Sequence, residues 1–368
     1  MARSFHLHEI ATAIGAELQG DGNIAVNRLV HPSTYAYADD LVLAMDDALL
    51  PLLEGKQVVA AVISKKAAPA SPPAKNILRI NRPRVALAAL TSLFAPPPAY
   101  GTGIHPTAVV DPSATIASDA VIGPCCVIGP RASIGTSCVL QSQVTVEAEA
   151  IIGAGTVLRS GVRIGANCVL GERVLIHFNS SIGSDGFSFV TPERGSVEAA
   201  KTDGAITATN HQGLLRIASL GAVIIGDDVE IGANTSIDRG TILPTRIGNG
   251  TKIDNQVQIG HNVQIGADCL ICGRVGIAGS TVIGDRVVLG GATGIADHVK
   301  IGDDAMLMAF SGVPGNVPAK QIYGGIPAMP RDRFMEQMFA INRLKSLSKL
   351  VENLSASVKT LEQSTKKS

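Results

Sequence analysis

Residues 121–182 read VIGPCCVIGPRASIGTSCVLQSQVTVEAEAIIGAGTVLRSGVRIGANCVLGERVLIHFNSSI, and one aliphatic side chain recurs in them at every sixth position. Ile122, Ile128, Ile134, Leu140, Val146, Ile152, Leu158, Ile164, Leu170, Ile176 and Ile182 keep this register without a slip, and Val110 and Ile116 extend it backwards. An amphipathic helix has a period of 3.6 residues, and a strand a period of two over about 4–8 residues, so neither explains a period of six. Two residues before each aliphatic position stands a small or β-branched residue, such as Ala120, Val144, Thr156 and Val174, and both positions are expected to point inward. Glycine often follows, as at Gly123, Gly129, Gly153 and Gly165, where a bend benefits from its relaxed dihedral limits. Three such hexapeptides make one triangular coil of a left-handed parallel β-helix, and coils stack at the strand spacing of roughly 4.8 Å.

The register returns at Ile225, Ile231, Ile237 and Leu243, shifts frame, and then runs from Ile247 to Val313. A β-helix is therefore expected over residues 105–317. The interruption at about 184–220 is too long and polar for one turn and should leave the coil as a loop or hairpin, a common place for binding groups. Ahead of the repeats, VVAAVIS (58–64) and ILRI (77–80) mark a small α/β domain over residues 1–104, closed by the stiff FAPPPAYGTG stretch at 94–103. Behind them, residues 318–368 form a helical extension in which Leu344, Leu347, Val351, Leu354, Val358 and Leu361 alternate spacings of three and four. An open solenoid also has side faces that neighbours can cover, and closure with three copies suits a triangular prism, so a homotrimer is expected.

Composition narrows the partners. Lys and Arg number 31 and Asp and Glu 31, so no net charge draws the chain of 368 residues to nucleic acid or to an anionic membrane. No run approaches the roughly 18 apolar residues of a membrane span, and the first residues lack a secretory apolar core. A cytoplasmic location is expected. Four of the six cysteines, Cys126, Cys138, Cys168 and Cys269, fall at the small inward position and read as packing residues. The lone CxxC at 269–272 has no second pair to complete a zinc site, and no metal or cofactor is expected.

The chemistry has to come from local groups, and histidine is scarce. His261 lies in IDNQVQIGHNVQIG (253–266) and His298 in GGATGIADHVKIG (290–302), two eighteen-residue coils plus one residue apart. They should stack near one edge, roughly 10 Å apart. A neutral imidazole at His261 can take a proton from an amine or hydroxyl attacking a thioester; equally, His261 can be a surface histidine at a coil corner. The polar neighbours Asp254, Asn255, Gln256 and Gln258 favour the first reading, and Asp254 is a candidate to orient the ring. Gly279, one coil above His261, can let a carbonyl approach its backbone N–H as an oxyanion donor, or can be a turn glycine. His177, also at a corner, reads as structural.

IDRGT (237–241), the IDNQVQIGHNVQIG run, SDGF (184–187) and YGGIPAMP (323–330) together resemble the bacterial UDP-3-O-(3-hydroxyacyl)glucosamine N-acyltransferases of lipid A synthesis. The resemblance implies that His261 is the general base for the sugar 2-amine and that the Gly279 N–H is the oxyanion donor. It further implies that His298, Asp254, Asn255 and Gln258 bind substrate, and that the donor is a thioester of acyl-carrier protein. Arg331, Arg333, Arg343, Lys345 and Lys349 can meet such an acidic carrier or can be a solvated helix face, which leaves coenzyme A open as donor. Acyl chain length would depend on where a groove between subunits is stopped, with Met308 and Phe310 as candidates.

The chain departs from the family in two places. Where a segment like F-x-x-N-P-x-Y holds uracil, LVLAMDDALL (41–50) places Leu43, Asp46 and Leu49, and Tyr35 or Tyr37 would have to substitute. The loop at 184–216 is longer than usual and returns through LRIASLG (215–221). The altered LVLAMDDALL segment supports a second reading, acylation of another nucleotide-linked amino sugar; a non-catalytic trimeric scaffold is a reading of a different class, against which the intact histidine, glycine and amide set argues.

Overall fold

The computed structural model describes residues 4–34, 36–54, 56, 58–67, 74–96, 101–207, 213–324 and 331–365, the side chains of 331–334 and 360–365 excepted. The chain divides into two compact units, Met1–Ala99 and Tyr100–Ser368.

In the first unit, five strands form one sheet in the order Glu17–Gln19, Asn76–Ile80, Ala60–Ser64, Asp40–Ala44 and Arg28–Val30. The first pair is antiparallel and the others are parallel. Ala60, Ala61, Val62 and Ile63 are all fully buried, as a near-continuous apolar run in a parallel sheet requires. Helix α1 (Leu7–Ile14) ends on Gly15 in the left-handed region at φ 61°, where lack of a Cβ removes the steric penalty. Helix α2 (Pro83–Phe94) opens with proline in its first turn and buries Ala86 and Leu90, a position where the missing N–H costs nothing.

The second unit is a parallel β-helix built from two- to four-residue strands. Face one runs from Val109–Val110 to Gly312–Val313, face two from Thr115–Ile116 to Lys300–Ile301, and face three from Val121–Ile122 to Ile322–Tyr323. Successive coils pair in register eighteen residues apart, as Gln258 with Gly276 and Ile259 with Ile277. Both inward positions are occupied as their spacing requires: the aliphatic ladder from Ile122 to Val313 is buried, and so are Cys126, Cys138, Cys168 and Cys269. Inward threonines close their hydroxyls onto backbone carbonyls of the next coil, as Thr281 Oγ1 donates to Ala296 O at 3.0 Å, which removes the cost of an unpaired buried hydroxyl.

Parallel pairing continues to Ile322–Tyr323, against Met306–Leu307, so the last coil extends past residue 317. One position departs from the expected register. Ser236 pairs with Gln258, so that coil has four extra residues; they are accommodated at the corner after Asp238, and Leu243, expected inward, is 71% exposed there. A longer insertion occurs one coil earlier, where Ser181 pairs with Ser236. The intervening excursion forms an antiparallel hairpin, Phe189–Val190 with Leu215–Arg216, and helix α3 (Ser196–Asp203). Helix α4 (Arg331–Thr365) follows the solenoid; no helix among the described residues is long and apolar enough to cross a membrane.

Candidate functional site

The corner between faces one and two carries a vertical column in which His261, Gly279 and Asp297 occupy the same place in successive coils. Beside it, Asn262, Ser280 and His298 hold the left-handed corner position, with φ of 63°, 61° and 60°. Backbone hydrogen bonds tie the column together: Ser280 N donates to His261 O at 2.9 Å, and His298 N to Gly279 O at 3.1 Å. The eighteen-residue period thus brings His261, Gly279 and His298 to one edge.

Hydrogen bonds orient the His261 ring. Its Nδ1 lies 2.9 Å from Asn262 Oδ1, and that oxygen also accepts from Thr241 N at 3.1 Å. A backbone N–H can only donate, and Asn262 Nδ2 donates to Leu243 O at 3.3 Å, so the atom facing the ring is the amide oxygen. In the neutral ring Nδ1 is therefore the donor and Nε2 the acceptor. Above the ring, a Cβ added to Gly279 would stand 2.8 Å from Nε2 and 2.8 Å from Cε1. Only glycine fits there without moving the imidazole. No described hydrogen bond engages the Gly279 N–H, although other corner N–H groups are capped from the next coil, as Ala267 N by Asp285 Oδ1.

The excursion closes on the same corner. A Cβ on Gly186 would meet His261 Cβ at 2.7 Å, and Gly186 N donates to the Ser219 hydroxyl at 3.0 Å. From α3, Lys201 Nζ reaches Asp297 Oδ2 at 2.7 Å and holds that carboxyl below its ordinary range. On face one, Gln258 Nε2 donates to Asp238 Oδ2 at 3.3 Å, and Ser184 Oγ to Asp238 Oδ1 at 3.2 Å. Burial pushes the Asp238 carboxyl up, opposed by those two donors and by the field of His261. Gly186, Asp238 and Asn262 fell within the motifs SDGF, IDRGT and IDNQVQIGHNVQIG without being singled out as site residues, and Lys201 belongs to the insertion, which has no repeat to mark it. Asp297 lay thirty-six residues from His261, a spacing that marks the column.

Asp254 and Asn255 stand elsewhere, at the corner between faces three and one. Asp254 Oδ1 accepts from Asn255 N at 2.7 Å, and no described contact joins either side chain to His261. Both line a cavity of about 560 Å3 with His177, Glu230, Lys252 and Cys272, and His177 Nε2 lies 3.1 Å from Glu230 Oε1. His177, expected to be structural, is thus half-exposed beside predicted substrate residues. Among the described residues no cluster of His, Cys, Asp or Glu has the form of a metal site.

The distal candidates are more dispersed. Arg343, Lys345 and Lys349 are exposed on α4, whereas the side chains of Arg331 and Arg333 and most of the YGGIPAMP stretch lie outside the described residues. In the first unit, Leu43, Asp46 and Leu49 line a cavity of about 770 Å3 with Lys66, Arg82 and Arg84. Asp46 is engaged there as a cap, accepting from Ala48 N at 3.1 Å. Tyr37 packs its ring under the Arg28 guanidinium at 5.4 Å and is not among the lining residues; Tyr35 lies outside the described residues.

Comparison with known proteins bears on this arrangement. The family described as bacterial transferase hexapeptide (six repeats) matches residues 244–279, and the hexapeptide repeat of succinyl-transferase matches 222–261 and 280–309. A solved Arabidopsis UDP-N-acetylglucosamine acyltransferase aligns with a TM-score of 0.51 at 22% identity, over 67% of this chain and 80% of that one, which speaks for the fold alone. A UDP-3-O-acylglucosamine N-acyltransferase from Paracoccus denitrificans is 45% identical over 74% of this chain and 74% of its own length. Another from Ruegeria pomeroyi is 42% identical over 74% of this chain and 76% of its own length. On that coverage and identity, the chain belongs to the UDP-3-O-acylglucosamine N-acyltransferase family of hexapeptide-repeat acyltransferases.

Proposed function

We propose that this enzyme moves a 3-hydroxyacyl group from an acyl-carrier-protein thioester to the 2-amine of a UDP-3-O-acylglucosamine, in lipid A biosynthesis in the cytoplasm. The observation that carries the chemistry is the His261 ring, pinned through Nδ1 by Asn262 with Nε2 open beneath Gly279. In the step proposed, the amine nitrogen attacks the thioester carbonyl while Nε2 takes its proton. The Gly279 N–H, which no described hydrogen bond engages, receives the charge that develops on the carbonyl oxygen. Collapse breaks the C–S bond, the thiolate leaves, and the imidazolium returns the proton to sulfur. His298, one position off the same column, binds the acceptor, and Gln258 lies beside the base on face one.

Asp254 and Asn255 fit this reading in a homotrimer. They and His261 occupy different corners of one prism, roughly 15 Å apart at 3.3 Å per residue, so a site containing all three draws on two copies. In the first unit, Leu43 and Leu49 offer an apolar wall to a nucleotide base in the cavity that they line with Lys66, Arg82 and Arg84. Replacement of an aromatic and amide set by Leu43, Asp46 and Leu49 favours, as second reading, an acceptor with a nucleotide other than uridine. Arg343, Lys345 and Lys349 offer cations to an acidic carrier protein.

His261→Ala tests the assignment. The imidazole points outward from the ladder of Ile259 and Ile265, so folding and assembly should survive while kcat falls on the order of 10²–10⁴. Near-normal turnover in a well-folded variant would sink the base assignment and favour a scaffold role or another site.

A further inference from the structure

The excursion brings to the reacting corner a charge that the repeats do not supply. His261, Gly279 and Asp297 occupy the column, and none of them is a fixed cation. Lys201, on α3, reaches over from outside the coil and sets its Nζ 2.7 Å from Asp297 Oδ2. Asp297 stands two coils above His261 and directly precedes His298, which binds the acceptor in the reaction proposed above. The pair remains open to solvent, with side chains 65% and 45% exposed. An ammonium has three N–H donors, and the described hydrogen bonds engage one of them. Other charges around the corner are already answered. Asp185 pairs with Arg216 at 3.2 Å, Asp238 accepts from Gln258 and Ser184, and the Arg239 guanidinium is turned to the carbonyls of Gly183 and Ala166.

We propose that Lys201 is a binding residue for the acceptor, holding the diphosphate of the nucleotide-linked sugar with the donors that Asp297 leaves over. The inference rests on the acyl-transfer reading above. For proton transfer the amine nitrogen must come within about 3 Å of His261 Nε2. That amine is on C2, and the diphosphate hangs from C1, the adjacent ring carbon, so the two phosphates lie close to the reacting corner. Two coils carry the column roughly 10 Å from His261 to Asp297, a span that the sugar and its diphosphate bridge, and His298 lies on that route. A dianion placed there faces the Asp297 carboxylate, and like charges at such range repel. Lys201 cancels that repulsion and adds charge-assisted N–H donors, the stronger kind of hydrogen bond to phosphate. Because α3 belongs to the excursion, this cation comes from the segment in which the chain departs from the repeat.

The test is steady-state kinetics of the full-length protein with UDP-3-O-acylglucosamine as acceptor, together with inhibition by UDP. Lys201→Met keeps most of the aliphatic stem and removes the charge. It should raise KM for the acceptor about tenfold or more and weaken UDP inhibition by a similar factor, while kcat and KM for the thioester donor move less than about twofold. Inhibition of the parent by UDP should weaken as ionic strength rises, and this dependence should flatten in Lys201→Met. Lys201→Arg should restore most of the affinity. Asp297→Asn separates a phosphate contact from a latch that merely holds α3 in place. It breaks the same ion pair but keeps the cation and removes the repelling carboxylate, so KM for the acceptor should fall rather than rise. The proposal is overturned if Lys201→Met leaves acceptor KM and UDP inhibition at the parent values, or if it weakens donor and acceptor equally. It is also overturned if Asp297→Asn raises acceptor KM as Lys201→Met does, which would make the pair a latch. A parent protein that transfers no acyl group to UDP-3-O-acylglucosamine would remove the acyl-transfer reading itself. Calorimetric titration with UDP then decides the rest: binding that is lost in Lys201→Met would leave the diphosphate contact standing, and its absence would overturn both.

Discussion

At the scale of single residues, the site was legible where the repeat governs it. His261, Gly279 and His298 share an edge because eighteen residues make one coil, and that period is written in the sequence. Asp238 was not legible as a partner of Gln258, because the four residues inserted after it break the period that would have linked them. Its burial has a consequence for pH. The Asp238 carboxyl is 8% exposed and is pushed above its ordinary value by burial, so the folded state holds its proton more tightly than the unfolded chain does. That contribution to stability is complete below the unfolded value near about 4 and is lost as pH rises through the folded value. Asp238→Asn removes the titration but keeps an acceptor for one of the two donors. The difference in Tm between variant and parent should therefore move in favour of the variant between pH 4 and pH 8. An equal difference at both pH values would mean that the carboxyl ionises as it does in the unfolded chain.

At the scale of elements, the coil is specified from two sides. The inward ladder is a matter of alternating sizes, and the sequence displays it plainly; the corners are a matter of backbone conformation and are less visible. Asn167, Asn179, Asn234, Asp228 and Asp268 take the left-handed region at corners where glycine was not available as a signal. Asparagine and aspartate tolerate this region because their short polar side chains hydrogen-bond locally, while β-branched residues do not. Asn234, exposed and at φ 55°, isolates the effect. Asn234→Val should lower stability by about 1–2 kcal/mol, whereas Asn234→Gly should change it by only a few tenths. Chemical denaturation of the two variants measures this directly, and equal stabilities would show that the corners yield to the stacking of the faces. The excursion could be located but not described beforehand: a hairpin and one short helix have no periodic signature in thirty-odd polar residues.

At the scale of the whole molecule, one chain brings only part of the predicted site together. Gln258, Asp238 and His261 adjoin one another, but Asp254 and Asn255 look out from a different corner, and nothing within the solenoid bends that corner toward His261. The hydrophobic positions Leu344, Leu347, Val351, Leu354 and Val358 of α4 are each more than half exposed, the pattern of a helix whose seam meets other copies. In a cyclic trimer each interface joins two unlike patches, so one corner of a subunit faces a different corner of its neighbour. A site assembled in this way can be complemented. His261→Ala and Asp254→Ala proteins should each be impaired as homotrimers. When they are unfolded together in equal amounts and refolded, about one interface in four pairs an intact His261 with an intact Asp254 from the next copy. Activity should then recover to roughly a quarter of the parent value, while the two proteins mixed without unfolding stay at their separate levels. Absence of recovery in refolded assemblies of trimeric mass would mean that each chain supplies both residues to its own site, and an unimpaired Asp254→Ala protein would mean that Asp254 takes no part. A stable monomer by light scattering at micromolar concentration would remove the shared site altogether.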